Sequence, residues 1–212
     1  MGQKVNPIGF RMGKIDNAPP CQSSWFASLK NYASFLLEDK KIRDYVQKKC
    51  YTAGLVSTKI QRFNKRIKIT LVVSRPGIVI GRGGSELEQT KKELIQITKL
   101  PSDKNLDIQV EEFKIPELSS KLVAEKIAYQ LTKRMPYRRI VLSAIERAMS
   151  SGAQGVKIVL SGRINGAEIS RREKFSQGKV PLSTLRSRID YYECPSLTRS
   201  GYIGVKVFIC LG

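Results

Sequence analysis

The stretch Gly77-Ile78-Val79-Ile80-Gly81-Arg82-Gly83-Gly84-Ser85-Glu86-Leu87-Glu88 sets three glycines around one arginine, directly ahead of a charged helical pattern. Bare backbone at the mouth of a helix suits close approach to a sugar-phosphate chain. No β-carbon stands in the way at Gly81, Gly83 or Gly84, and free N–H groups together with Arg82 meet the phosphates. Two other phosphate loops fail on spacing. Counted from Gly77, the second glycine of a nucleotide-triphosphate loop would fall on Arg82; the last glycine of a dinucleotide fingerprint would fall on Glu86. Elsewhere, Lys133, Arg134, Arg138 and Arg139 crowd around Pro136, where an interrupted helix presents several cations on one edge. From Lys157 to Arg188 there are 8 cations and 2 acids, interleaved with apolar residues at strand spacing. Arg163, Arg171, Arg172, Lys179 and Arg186 are the main candidates there for contact with a polyanion.

The chain as a whole agrees with this chemistry. Its 212 residues carry 38 Lys plus Arg against 18 Asp plus Glu, a net charge of +20. Such a field attracts nucleic acid or an anionic membrane. No window approaches the roughly 20 apolar residues of a spanning helix. The N-terminus has no apolar run of signal-peptide length, and Asn6 departs from the myristoylation pattern, so the chain is expected to stay in the compartment where it is made. There is no histidine, which excludes Ser-His and Cys-His nucleophile pairs and removes the commonest general base. Cys21, Cys50, Cys194 and Cys210 form no CxxC pair, so no metal site and no cofactor are expected; Cys210 alternates with apolar residues as a core position does.

These side chains need elements to place them. Residues 1–27 read as a Gly- and Pro-punctuated basic arm, with Lys4 and Arg11 able to order on an anionic surface. Residues 28–49 read as a helix in two pieces, Leu29, Tyr32, Ala33 and Leu36 forming a first stripe and Asp39 restarting the pattern. Strands follow near 53–61 and 66–73, the second with one buried and one basic face, joined by the turn Phe63-Asn64-Lys65. Ser85 and Glu88 fit a capping box opening a helix to about 98. A strand around Leu106, Ile108 and Val110 closes the first domain, and the boundary is set near Lys114-Ile115-Pro116. The second half opens with helices over 118–135 and about 138–150, then four strand patterns, with Gly162 to Gly166 as a hairpin turn. Two helices followed by strands predict a two-layer α+β domain. Tyr191, Tyr192 and Tyr202 suit sheet packing, with base stacking as the alternative.

Gly-x-x-Gly between two short helices, after a helix and two strands and before a third strand, resembles the type II KH domain; a glycine-tightened helix-turn-helix is the alternative. The likeness extends along the chain. MGQKVNPIGFR, RPGIVIGRGGSELE, KIPELSSKLVAEKIAYQL and GVKIVLSGRINGAEISRREKFSQGKVPLSTLRSRIDY together resemble the small-subunit ribosomal protein S-three family, in its bacterial or organellar form. The resemblance implies a KH domain over 28–113 and a C-terminal α+β rRNA-binding domain over 114–212, with a mainly antiparallel sheet. It also implies a place in the head of the small subunit, near the channel through which mRNA enters. Arg138 and Arg139 match a basic pair that faces incoming mRNA and helps separate its duplexes. Bacterial members commonly have lysine three residues later, where this chain has Leu142, and many have histidine where it has Ser183.

The expected partners are rRNA, mRNA and, by the resemblance, the small-subunit proteins S-ten, S-fourteen, S-two, S-four and S-five. The expected location is a ribosome in bacterial cytoplasm or an organelle interior, and no enzymatic activity is expected. Two rivals remain in view: a free KH regulator of mRNA, against which the long basic C-terminal half argues, and a lysine-based nucleic-acid lyase.

Overall fold

The computed structural model describes residues 4–12, 22–63, 66–98 and 106–211. Most of the arm from 13 to 21, with Cys21, and the Asn64-Lys65 turn lie outside them. The chain divides into two compact units, Pro20–Lys114 and a second made of Met1–Pro19 with Ile115–Gly212. The N-terminal segment expected as a separate arm therefore folds with the C-terminal half. Among the described residues no helix is long and apolar enough to cross a membrane.

That segment holds the short helix α1 (Pro7–Arg11). Asn6 caps it, accepting the Ile8 N–H at 2.9 Å, and Pro7 supplies a preset φ at the first turn. Arg11 closes it and corrects an expectation. Only 4% exposed, its guanidinium donates to the carbonyls of Pro7 (3.0 Å), Pro181 (3.3 Å), Leu182 (3.1 Å), Thr184 (2.9 Å) and Ser187 (2.9 Å). A planar fork of five donors suits a ring of carbonyls. Arg11 is thus not a contact for RNA; it pins α1 to the 181–187 loop.

In the Pro20–Lys114 unit the chain runs through β1 (Ser23–Ser24), α2 (Leu29–Lys49), β2 (Leu55–Phe63), β3 (Arg66–Val73), α3 (Pro76–Ile80), α4 (Ser85–Thr98) and β4 (Leu106–Glu112). The sheet order is β1-β2-β3-β4, with β2/β3 antiparallel and both outer pairings parallel. Ile67, Ile69, Leu71 and Val73 alternate onto the buried face and meet Ile42 and Val46 of α2, Val79 of α3 and Leu94 of α4. The other face is mixed rather than basic. The parallel register sets Asp107 beside Lys68, and Glu111 reaches Lys59 at 3.8 Å.

α2 is one 21-residue helix, not two. Asp39 does not cap a restart; it is the buried hub of the helix. Its carboxylate accepts from Ser23 Oγ (2.8 Å), Trp25 Nε1 (2.8 Å) and Arg62 Nε and Nη2 (3.1 and 2.6 Å). Arg62 also reaches Glu38 at 2.8 Å and stacks on the Phe35 ring at 4.6 Å. The stripe expected to be covered, Leu29, Tyr32 and Leu36, is exposed; the half of α2 that covers the sheet lies beyond Asp39.

The second unit continues with α5 (Ser120–Thr132), α6 (Tyr137–Ser150), β5 (Gly155–Gly162), β6 (Arg171–Gly178), β7 (Ile189–Thr198) and β8 (Gly201–Cys210). Its sheet, ordered β6-β5-β8-β7, is antiparallel at every pairing. Val156, Ile158 and Leu160 of β5 and Ile203, Val205, Val207 and Ile209 of β8 pack under the two helices. Cys210 is buried. The segment after β5 is not a tight hairpin: residues 163–170 form a loop in which Asn165 adopts φ +56°. α5 is capped from a distance, Asp190 of β7 accepting the Ser120 N–H at 2.8 Å.

Two expected outcomes follow from the buried charges. Asp39→Ala leaves Arg62 without its buried partner and should destabilise the full chain by about 3–5 kcal/mol in urea. Lys126→Ala, which breaks an exposed pair, should cost under about 1 kcal/mol; equal effects would contradict the hub role. Arg11→Ala should free the 181–187 loop, so limited trypsin cuts after Arg186 and Arg188 sooner than in the parent chain; an unchanged cleavage rate would refute the clamp.

Candidate nucleic-acid interface

α3 ends when Gly81 turns to φ +72° and ψ −178°, a region closed to other residues, while its N–H still bonds Gly77 O at 3.0 Å. A Cβ on Gly81 would lie 2.6 Å from Glu86 Cγ and 2.8 Å from its Cβ, so that position packs against the start of α4. Gly83, at φ +62°, differs: nothing lies within 4 Å of where its Cβ would be. Gly81 is thus closed to a side chain by packing as well as torsion, while Gly83 and Gly84 keep open backbone, with Arg82 exposed between them and Gly81. Ile78 and Ile80 on either side of the buried Val79 stay exposed. Ser85 has helical torsions (φ −57°, ψ −42°), so it lies inside α4 and is not its N-cap; the expected capping box is not formed.

The cation edge of the second unit is built by the junction of α5 and α6. α5 terminates in a Schellman motif: Met135 N–H bonds Gln130 O at 3.3 Å and Arg134 N–H bonds Leu131 O at 2.9 Å. The left-handed position in that motif, φ +59°, is held by Arg134 and not by the usual glycine. Such a conformation costs an L-residue about 1–2 kcal/mol. Pro136 then opens α6. The Lys133 ammonium sits 4.4 Å over the exposed Tyr129 ring. Tyr137 is buried and donates to Glu173 Oε1 at 2.9 Å, and Arg138 Nε donates to Tyr137 Oη at 3.1 Å. That bond, with the nearby Glu173 carboxylate, raises the Arg138 pKa further. Arg139 is exposed one residue on, and Leu142, one turn further along α6, is also exposed.

The remaining candidates are sorted by the sheet. Arg134 and Arg163 line one cleft of about 360 Å³ together with Arg199. Arg199 was missed in the sequence because it sits in a two-residue turn whose neighbours carry no charge pattern. Arg163 is held in place by the carbonyls of Ala167 (2.8 Å) and Ser200 (3.3 Å). Arg171 and Arg172, adjacent on β6, project to opposite faces; Arg172 lines a second cleft, with Lys4. Lys179 and Arg186 are exposed in the loops after β6. Of the tyrosines, Tyr192 packs against the helix-side core, Tyr202 is exposed and Tyr191 lies on the far face of the sheet against Phe208. Among the described residues no group of three His, Cys, Asp or Glu side chains is placed to hold a metal ion.

Comparison with known proteins meets this geometry at both units. A family model described as the KH domain matches residues 41–118, and one described as the C-terminal domain of ribosomal protein S3 matches residues 127–209. The small ribosomal subunit protein uS3 of Carboxydothermus hydrogenoformans is 48% identical over 212 residues, all of this chain and 92% of the relative. The chain belongs to the ribosomal protein S3 family. Relatives of the same description from Desulforamulus reducens and Caldicellulosiruptor saccharolyticus are 47% and 46% identical, again over the whole chain and 93% of each relative. In this S3-family chain the KH match contains the Gly81–Gly84 loop, and the S3 C-terminal match contains Lys133, Arg134, Arg138 and Arg139.

The two kinds of glycine in the loop separate by substitution. Gly81→Ala should cost about 2–4 kcal/mol, combining a forbidden backbone region with the clash on Glu86. Gly83→Ala should cost only about 1 kcal/mol yet weaken RNA binding, because its methyl enters the open approach. A filter-binding titration beside urea unfolding tests both; Gly83→Ala with unaltered RNA affinity would rule out backbone contact at this loop.

Proposed function

We propose that the chain is a structural constituent of the head of the small ribosomal subunit, holding rRNA through phosphates and gripping mRNA as it enters. The observation that carries this reading is the α5–α6 junction. Lys133, Arg134, Arg138 and Arg139 are all exposed there, and among the described residues none has a carboxylate salt-bridge partner. Cations grouped in this way cost self-repulsion unless a polyanion lies against them, and phosphates are that polyanion. Tyr129 and Tyr137 hold two of them in place, so the edge needs little reordering on binding.

In this reading Gly81, Arg82, Gly83 and Gly84 let the KH unit approach a sugar-phosphate backbone. Arg163, Arg171, Arg172, Lys179, Arg186 and Lys4 supply further phosphate contacts. Arg138 and Arg139 hold opened mRNA strands while translocation by the ribosome does the work of separation. Leu142 supplies no charge on the next turn, so the grip rests on the arginine pair. The neighbours implied by the family resemblance are the small-subunit proteins S-ten and S-fourteen in the head, with S-two, S-four and S-five near the channel.

Ribosomes carrying Arg138→Ala/Arg139→Ala should translate through a stable mRNA hairpin several-fold more slowly while unstructured message is read at nearly the parent rate. Each lost phosphate contact removes about one counterion from the salt dependence of mRNA binding. Equal slowing on both messages would count against a grip on mRNA. Loss of the chain from small subunits washed in high salt would count against the structural role itself.

A further inference from the structure

The sheet of the second unit has a face turned away from α5 and α6, and the N-terminal segment closes over part of it. Between them lies a cleft of about 600 Å³, within the roughly 300–1,000 Å³ range of ligand sites. Its walls bring together Lys4 of the N-terminal segment, Lys157 of β5, and Arg172 and Lys174 of β6. Lys157, Arg172 and Lys174 belong to one β5–β6 hairpin and Lys4 is distant in sequence; the pleat of β5 and β6 and the Arg11 clamp make them neighbours. Among the described residues none of the four has a carboxylate salt-bridge partner. The acid that lines the cleft, Glu193, is already engaged: it accepts from Tyr191 Oη at 2.8 Å and pairs with Lys206 at 3.2 Å.

The Lys157 ammonium is depressed below its ordinary pKa, first by burial and then by repulsion from Lys4, Lys174 and Arg172. A cluster that disfavours its own charge in this way is stabilised by a bound anion. The floor adds a second requirement. Tyr191 and Phe208 lie with ring centroids 4.7 Å apart and planes tilted by 37°, and Lys157 Nζ is 5.9 Å from the Phe208 centroid. An aromatic floor beside a cation cluster matches a flat base with its phosphate better than an inorganic anion, since stacking on aromatics is worth about 1–3 kcal/mol per base.

We propose that this cleft is a nucleotide site, holding a phosphate among Lys4, Lys157, Arg172 and Lys174 and packing the attached base against Tyr191 and Phe208. It deepens the RNA-binding reading above and rests on it. A nucleotide of a single strand and a free nucleotide share this chemistry, and the test separates them.

The full chain is mixed with a single-stranded oligonucleotide containing 4-thiouridine, cross-linked by light, and mapped by peptide mass. Cross-links are expected on the β7 and β8 peptides that carry Tyr191 and Phe208. In Arg172→Gln/Lys174→Gln, both exposed positions, those cross-links should fall about tenfold with the loss of two charge-assisted contacts. The slope of log K against log salt should shrink by about 1.4, at about 0.7 per contact on a single strand. Competition by millimolar nucleoside monophosphate would extend the site to free nucleotides; no competition would assign it to the strand. Bound oligonucleotide with cross-links confined to the glycine loop or the α5–α6 edge would overturn the site and leave the wider reading intact. Cleft cross-links undiminished in the double variant would overturn it equally. No binding of the oligonucleotide at all would remove both.

Discussion

A buried charge must be given partners, and each unit of this chain is organised around meeting that demand. In the second unit the charge is Arg11. Five backbone carbonyls converge on its guanidinium, four of them from a loop some 170 residues later. Among the described residues no carboxylate pairs with it, and the field of the guanidinium is spread over carbonyl dipoles. The same contacts fix α1, order the 181–187 loop and set the N-terminal segment over the far face of the sheet. In the KH unit the charge is Asp39, whose donors come from the segment before α2 and from β2. That hub ties the strand β1, the long helix and the sheet edge together, and it is why α2 continues unbroken through a position that reads as a helix start.

With those two charges withdrawn, the remaining cations are free to be arranged on surfaces, and ordinary secondary-structure geometry arranges them. The Schellman motif at the end of α5 turns Arg134 toward the cleft that also takes Arg163 and Arg199. The pleat of β6 separates Arg171 from Arg172. The parallel pairing of β3 with β4 places acids among the cations of the KH sheet, while Arg82 stands exposed in the glycine loop. The net charge of +20 is thus distributed unevenly. Where acids accompany the cations the surface is mixed, and where they are missing the chain presents bare cationic edges.

The KH and S3 C-terminal matches fall on these two surfaces. A KH loop with open backbone at Gly83 suits contact with a sugar-phosphate chain at van der Waals distance. The α5–α6 edge suits electrostatic contact with phosphates, which carries no sequence information. Tyr129 lies under Lys133, and Glu173 accepts from Tyr137, which in turn accepts from Arg138, so these side chains orient the cations of that edge.

Much of this was legible from residue order. Apolar alternation in RIKITLVV and GVKIVL identifies the central strands, because a strand buried on one face must repeat every second residue. The glycine spacing identifies the loop, because only glycine reaches the torsions at Gly81. The clustering of Lys133 to Arg139 marks the edge, because helix interruption by Pro136 is a local event. Long-range partnership was not legible. That Arg11 is a clamp and not an RNA contact depends on carbonyls of the 181–187 loop, and that Asp39 is a hub depends on Arg62. That Leu29 and Leu36 stay uncovered depends on where the sheet ends. The cleft of Lys4, Lys157, Arg172 and Lys174 exists only once the strands are paired. Periodicity and torsional need are properties of neighbouring residues, so sequence determines them; the satisfaction of buried charge and the meeting of distant cations are properties of the folded chain, and only tertiary structure decides them.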